Sequence, residues 1–317
     1  MRTRNLNRGP ALTEYGLGAA QFGNLFRETT DEDCLAAADA AWENGIRYFD
    51  TAPHYGLGLS ERRLGAALAS RPREEFVVST KVGRALVPTP ERARELDDEG
   101  FVTPAVFRRE WDFSRDGVMR SVEQSLERLG LDRLDIVYLH DPDDHWEEAS
   151  TTAVAALIEL RDQGVVRAIG AGMNQSAMLT EFVRRCDVDV MMIAGRFSLL
   201  DRTAARDLLP LALERGVGIV AAGVYNSGLL SKAEVPSDAK YEYDQAPGAL
   251  IARARAMATA CAKHGVTLPE AALQFALRHP AVTSVVIGMR NADQAIGTIE
   301  RAEAAIPEAL WAELDAL

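Results

Sequence analysis

Apolar residues fall in short blocks along this chain, and a longer stretch with a three-to-four-residue apolar rhythm follows most of them. The blocks are residues 17–20 in YGLGAAQFG, then IRYFD, FVVSTK, LDIVYLH, VRAIGAG, VDVMMIAG, VGIVAAG and VTSVVIGM. They are apolar almost throughout rather than alternating, as parallel strands covered on both faces must be. The intervening stretches carry helix punctuation. TDEDCLAAADAAWENG has Thr30 or Asp31 as N-cap, acids in its first turn and Gly45 just past its end. SERRLGAALA reads as a helix capped by Ser60, and SRDGVMRSVEQSLERLG as one closed by Gly130. TTAVAALIELRDQG ends at Gly164, SAMLTEFVRRC follows, and DRTAARDLLPLALERG is bent or begun late by Pro210. GALIARARAMATACAKHG, LPEAALQFALRHP and NADQAIGTIERAE complete the set.

Eight strand-helix pairs in this length predict an α/β fold, a (β/α)8 TIM barrel spanning residues 1–317 as one domain. The competing architecture is a doubly wound open sheet. Its dinucleotide-binding form places GxGxxG after the first strand, where this chain has QFGNLFRETT. Two stretches break the rhythm. Residues 83–113, after the third strand, are rich in proline and charge, and weakly periodic. Residues 223–247 follow the seventh strand. Long loops at C-terminal strand ends are expected to be lids or disordered segments around a barrel's active face.

Composition narrows the function. The chain is 47% apolar and 26% charged, ordinary for a soluble globular protein. A net charge of -12 argues against general nucleic-acid or anionic-membrane binding, but not against a small anion in a local pocket. No apolar run approaches the roughly 18 residues of a membrane helix. The basic start MRTRNLNRGP lacks the apolar segment of a secretory signal. Cys34, Cys186 and Cys261 are widely spaced and odd in number. Cys34 and Cys261 read as small core residues, and a reducing cytoplasmic location fits.

The candidate chemistry lies at strand ends. Asp50 ends the second strand, and Tyr55 follows it in YFDTAPHYGLG. Lys81 ends the third strand and His140 the fourth. A barrel would bring these ends together on one face. A free tyrosine has a pKa near 10, so the expectation is that Lys81 lowers it by stabilising phenolate. Asp50 would hold Lys81 charged, and His140 would orient a substrate oxygen. Together the four make a proton-transfer device for a carbonyl or alcohol. HDPDDH crowds five potential ligands into six positions, but nothing elsewhere completes a metal site. That loop reads instead as lining the substrate site through Asp141 or His145, with Trp111 from the long insertion stacking on a ring or pinning a lid. Trp42 reads as packing, and His264 and His279 as helix-end residues interacting with the helix dipole. The runs ERAREL and DDE read as solvated surface.

GIRYFDTAPHYGLGLSERRLG, FVVSTKVG, SLERLGLDRLDIVYLHDPDD and VVRAIGAGMNQ resemble the aldo-keto reductases, NAD(P)-dependent (β/α)8 barrels, from about residue 16 to about residue 300. The resemblance implies that Tyr55 is the general acid/base, that Lys81 tunes it, that Asp50 holds Lys81 and that His140 aligns the substrate. His54 is then a neighbour in the turn, and Asn174 matches the asparagine that binds the nicotinamide carboxamide. The loop GVYNSG, with Gly223, Asn226 and Ser227, is expected to wrap the pyrophosphate. Within the family, HDPDDH and AGRFSLLD are most similar to bacterial dehydrogenases of L-fucose and D-threo-aldoses and to pyridoxal 4-dehydrogenases. The implied reaction is oxidation of a cyclic hemiacetal to a lactone.

The chain departs from the wider family at three places. Ala194 or Gly195 stands where a glutamine usually holds the carboxamide, and Ala222 where an aromatic usually stacks, with Tyr225 as a substitute. After the last strand, Gly288, Met289 and Gln294 replace the charge partners of a 2'-phosphate. Arg290 remains, either as a phosphate partner or as a solvated helix-start residue. The balance favours NAD over NADP. Other readings of the barrel are pyridoxal oxidation, general NADPH-dependent carbonyl reduction, an aldolase with Lys81 as Schiff-base nucleophile, and a non-enzymatic channel-associated subunit. The expected partner is a small sugar or pyridoxal-type molecule.

Overall fold

The computed structural model describes residues 1–242 and 244–317; Tyr243, inside the loop predicted over 223–247, lies outside the described residues. Eight strands close into a parallel barrel. They are β1 (Tyr15–Gly18), β2 (Tyr48–Asp50), β3 (Val77–Val82), β4 (Leu134–His140), β5 (Val166–Met173), β6 (Val190–Ala194), β7 (Gly218–Ala222) and β8 (Val282–Gly288). Each pairs with the next in sequence, β8 pairs with β1, and the open sheet is excluded. The first strand sits two residues earlier than its apolar block suggested. Residues 19–23 already turn in a 3-10 helix at the barrel mouth.

Helices α1 (Asp31–Glu43), α2 (Leu59–Leu68), α3 (Arg115–Leu129), α4 (Val154–Asp162), α5 (Ser176–Arg185), α6 (Leu208–Arg215), α7 (Gly248–Lys263), α8 (Leu268–Phe275) and α9 (Ala292–Glu303) surround the strands, and α10 (Glu308–Asp315) packs against α7. Thr30 caps α1 by accepting from the Asp33 N–H, and Gly130 closes α3 in the left-handed region. α2 departs from expectation. Gly58 is its N-cap, and Ser60 lies inside the helix, donating to the Ala19 carbonyl at 2.6 Å and meeting Thr51 Oγ1 at 2.8 Å. Cys34 and Cys261 are buried core residues, as their helical contexts suggested.

The long insertion is ordered. Arg84–Pro88 and Phe107–Trp111 form an antiparallel hairpin that rises from the mouth beside β3. Thr3–Asn5 and Ala11–Thr13 form a second hairpin before β1. Its Leu6 and Leu12 join the barrel interior beside Tyr48, Ile136, Tyr138 and Val190.

Acids at the opposite end of the barrel from the mouth lock strands together. Asp135, fully buried at the start of β4, accepts from the Val78 N–H at 2.9 Å, Arg73 at 2.7 Å and Arg167 at 3.1 Å. Asp189, just before β6, accepts from the Ile169 N–H at 2.9 Å and pairs with Arg8 and Arg161. Glu14, just before β1, pairs with Arg2 and Arg4. Each carboxylate replaces lost hydration with several donors, which makes its burial tolerable. Asp135→Ala is expected to lower stability by roughly 3 kcal/mol. A urea titration should show a lower midpoint with an unchanged slope.

Candidate active site

Alternate residues of a barrel strand face inward. β2 therefore presents Tyr48 and then Asp50, β3 presents Ser79 and then Lys81, and β4 presents Tyr138 and then His140. The first of each pair lies in the interior, and the second reaches the mouth. Asp50 stands opposite Ser79, and Lys81 opposite Tyr138, in the strand register.

Lys81 Nζ donates to Asp50 Oδ2 at 2.8 Å and to the Thr51 carbonyl at 2.9 Å. It lies 4.7 Å from the centre of the Tyr55 ring. The His140 ring meets Tyr55 edge-on, with centroids 5.8 Å apart. His54 packs against His140 at 5.4 Å and Phe101 at 5.2 Å. The structure thus brings Asp50, Tyr55, Lys81 and His140 into one cluster. Two glycines set the height of Tyr55. A Cβ on Gly23 would fall 2.5 Å from the Tyr55 carbonyl carbon, and one on Gly56 would fall 2.3 Å from the Gly23 oxygen.

Burial dominates the electrostatics. It opposes a charge on Lys81, but Asp50 and then Tyr55 outweigh it and hold the lysine pKa above its ordinary value. His140 is pushed well below the usual imidazole range by burial first, then by Lys81 and Arg84, so it is neutral at physiological pH. His54 is pushed down to about 2 by burial, with Arg84, Arg109 and Lys81 acting in the same direction. Tyr55 corrects an expectation. Lys81 does pull its pKa down, but burial is the larger effect, and with Asp50 it leaves the phenol above its ordinary value.

A charged rim surrounds this cluster. Arg84 Nη2 donates to Asp141 Oδ2 at 2.7 Å, and its guanidinium lies 4.6 Å from the centre of the Trp111 ring. Trp111 is 47% exposed and stacks on Phe113, with His145 5.0 Å away. Arg109 donates to Asp97 at 2.6 and 3.0 Å and to the His54 carbonyl at 2.9 Å. Glu99 lies 3.6 Å from Arg84 and 3.7 Å from His54 Nδ1. DDE is therefore only partly a solvated run, because the Asp97 side chain is 3% exposed and pins the hairpin. Sequence patterning missed Arg84, Asp97, Glu99 and Arg109, since charge in a proline-rich stretch looks like surface. His279 also differs from expectation. Its ring is partly desolvated against Phe197, and its Nδ1 accepts from the Ala281 N–H at 3.2 Å.

A second cleft of about 420 Å³ opens beyond β1, β7 and β8, lined by Gln21, Phe26, Tyr225, Ser227, Gly288 and Arg290 among others. Gly223, Asn226, Ser227 and Gly228 all take left-handed backbone. Such turns can direct successive N–H groups into a concavity that suits an anion. Gln21 Oε1 is buried without a partner among the described residues. These features fit a dinucleotide. Asn174 sits exposed just past β5. The Asn226 side chain is committed elsewhere, accepting from Ser198 Oγ at 2.6 Å and donating to the Gly195 carbonyl at 3.1 Å, and its N–H donates to the Gly223 carbonyl at 2.9 Å, so Asn226 shapes the turn with groups already engaged within the protein.

Arg290 is neither solvated nor idle. Its guanidinium donates to Thr29 Oγ1, to the Arg27 carbonyl at 3.0 Å and to the Leu25 carbonyl at 2.7 Å. Gln294 Oε1 accepts from the Arg290 N–H at 2.8 Å. Among the described residues, no group of three His, Cys, Asp or Glu side chains is placed to hold a metal ion, and no helix is long and apolar enough to cross a membrane.

The aldo/keto reductase family model matches residues 14–317. The chain is 51% identical to a D-threo-aldose 1-dehydrogenase from a Pseudomonas species, over 96% of this chain and 94% of that protein. It is 39% identical to the pyridoxal 4-dehydrogenase of Microbacterium luteolum, again over 96% and 94%. Among solved structures, it is similar to the holo form of an aldo-keto reductase from Bacillus halodurans, with a TM-score of 0.80, 27% identity, and coverage of 100% of this chain and 96% of that one.

Gly23→Ala is expected to displace Tyr55 through the backbone contact and to lower kcat by about a hundredfold. Steady-state kinetics beside a thermal melt tests this, because the melt should move far less than the rate.

Proposed function

The chain belongs to the aldo/keto reductase family of oxidoreductases, and on that premise we propose that it is an aldose 1-dehydrogenase working with NAD. The observation that carries the reading is the buried Asp50–Lys81 pair beneath Tyr55, with neutral His140 at the ring edge. The reaction runs on the anomeric hydroxyl of an L-fucose or D-threo-aldose type of sugar. Tyr55, as phenolate, takes the proton of that hydroxyl. Lys81, held cationic by Asp50, stabilises the phenolate. His140 has a free ring nitrogen, Nδ1, and Nε2 faces Asp141 at 3.6 Å. A neutral imidazole in this position orients the sugar oxygen without repelling Lys81. A bound nicotinamide supplies the hydride acceptor at its C4, and the product is a lactone. A cyclic hemiacetal suits this arrangement because one carbon carries both the O–H and the C–H to be lost.

The rim supports a polyhydroxylated substrate. Arg84 and Asp141 offer a paired donor and acceptor, His145 lies beside them, and the exposed Trp111 face suits an apolar sugar face. The similarity to the D-threo-aldose enzyme points the same way. Asn174, Gly223, Ser227, Gly288 and Gln21 would hold the dinucleotide. NAD is preferred because Arg290 already serves three acceptors in the 25–29 loop, which leaves it poorly placed for a 2'-phosphate. Pyridoxal oxidation is the second reading, supported by the Microbacterium relative and by the same aromatic face. A Schiff-base aldolase is disfavoured, because Lys81 is held as an ammonium.

The experiment is an absorbance assay at the reduced-nicotinamide band with L-fucose, D-arabinose, L-galactose and pyridoxal, each with NAD and with NADP. Turnover of a sugar with NAD at least about tenfold above NADP is expected. Turnover of pyridoxal alone would move the assignment to the second reading. Tyr55→Phe should bind NAD as the parent does and lose on the order of a thousandfold in kcat. Retention of most of the rate would overturn the role given to Tyr55.

A further inference from the structure

Below the mouth, a line of hydroxyls crosses the barrel interior. Ser79 Oγ donates to Asp50 Oδ1 at 2.6 Å. Tyr48 OH lies 3.0 Å from Ser79 Oγ, and Tyr138 OH lies 3.2 Å from Tyr48 OH. Tyr48, Ser79 and Tyr138 are all fully buried. Their neighbours in the interior are Val77, Ile136, Ala168, Val190 and Met192. Apolar side chains would fill this layer with no polar group to satisfy.

The direction of the line follows from counting protons. A carboxylate accepts only, so the single Ser79 hydrogen points at Asp50. Ser79 must then accept from Tyr48. Tyr48 has spent its hydrogen and must accept from Tyr138. Every hydrogen points toward Asp50. The far end, Tyr138, has no access to water, so the line cannot conduct protons to solvent. What it can do is polarise. Each bond strengthens the next, and the last one draws on the charge of Asp50.

We propose that Ser79, Tyr48 and Tyr138 are positioning residues for the proton transfer at Tyr55: a one-way hydrogen-bond line that fixes the Asp50 carboxylate and tempers its charge. This rests on the role assigned above to Tyr55. Asp50 has two opposed effects at the mouth. It holds Lys81 charged, which favours phenolate, and it repels phenolate directly. The two carboxylate oxygens divide the work, since Oδ2 faces Lys81 and Oδ1 faces Ser79. A donor on Oδ1 keeps Oδ2 aimed at the ammonium and disperses the charge that repels Tyr55. The other groups acting on this cluster are Asp141, Arg84 and Arg109 from the rim, and His140 and His54, which are both neutral. None of these touches Ser79 Oγ, so the line acts through Asp50.

Losing the line leaves Asp50 with a more concentrated charge and a freer carboxylate. Phenolate then forms at higher pH. In the parent enzyme, log kcat/KM for oxidation should climb with pH at a slope of about one as Tyr55 ionises. Ser79→Ala, Tyr48→Phe and Tyr138→Phe should shift that limb to higher pH in decreasing order. Ser79→Ala should move it by on the order of half a pH unit, and Tyr138→Phe should be barely displaced. The KM for the sugar should change less than about twofold in each.

A merely structural role would lower the melting temperature and scale the rate equally at every pH. A fixed limb, or equal shifts in all three variants, therefore overturns the proposal. If Tyr48→Phe does not fold, the order of Ser79→Ala and Tyr138→Phe carries the test. If the parent turns over none of the substrates, the functional reading fails by itself. The line is then tested without turnover. The phenolate ultraviolet band is titrated with NAD bound, taken as the difference between a protein and its Tyr55→Phe counterpart. The same ordering supports the line, and its absence overturns it.

Discussion

The contact on which the rest depends is the ion pair of Lys81 and Asp50 inside the barrel mouth. Two charges removed from water are costly unless geometry and further hydrogen bonds compensate. Here each partner is bonded beyond the pair, Lys81 to the Thr51 carbonyl and Asp50 to Ser79. Those partners exist because β2 and β3 stand in a register that puts Asp50 opposite Ser79. A one-residue slip would turn every one of these side chains to the other face of the strand. The fold and the chemistry are therefore specified by the same register, and neither could drift alone.

The far end of the barrel explains how that register is kept. Asp135 bonds to a backbone N–H of β3, and Asp189 to one of β5. These are side-chain bonds across strand boundaries, each satisfiable in one alignment only. Of the arginines that answer the two acids, Arg73 comes from before β3, Arg161 from α4, and Arg167 from β5 itself. The mouth is built differently. Its charges sit on loops and on a hairpin that can vary without disturbing the strands, and this separation lets one barrel carry many specificities.

How much could be read beforehand follows from this division. β4 was legible at both ends, because LDIVYLH is apolar apart from Asp135 until it stops at a polar cluster. So were the caps of α1 and α3. The four-residue cluster was legible because Asp50, Lys81 and His140 sit at strand ends and Tyr55 in the turn just beyond one. The hairpin of 84–88 and 107–111 was not. Its pairing is non-local, its strands are separated by a long tip, and arginines and glutamate interrupt any alternation. The interior hydroxyl line was hidden for a different reason. In YFD, STK and YLH the tyrosines and serine look like ordinary residues of a buried strand. Only the shear between strands shows that they touch. The raised pKa of Tyr55 was misjudged because a sequence shows which charges are near, but not how much water is gone.

The same reasoning bears on the cofactor cleft. Arg290 reads in the sequence as either a phosphate partner or a solvated helix-start residue, because only its neighbours in sequence are visible there. In the fold it anchors the loop that runs from β1 to α1, through the Leu25 and Arg27 carbonyls and Thr29. That loop also carries Phe26, which is 61% exposed, holds a left-handed backbone and lines the cleft. An arginine engaged in this way positions one wall of the cleft. Drawing it toward a phosphate would release three backbone or hydroxyl acceptors and loosen that wall. A 2'-phosphate would thus be opposed by the loss of structure as well as by the absence of the usual charge partners. The proposed preference for NAD then rests on what Arg290 is already doing, more than on what the last strand lacks.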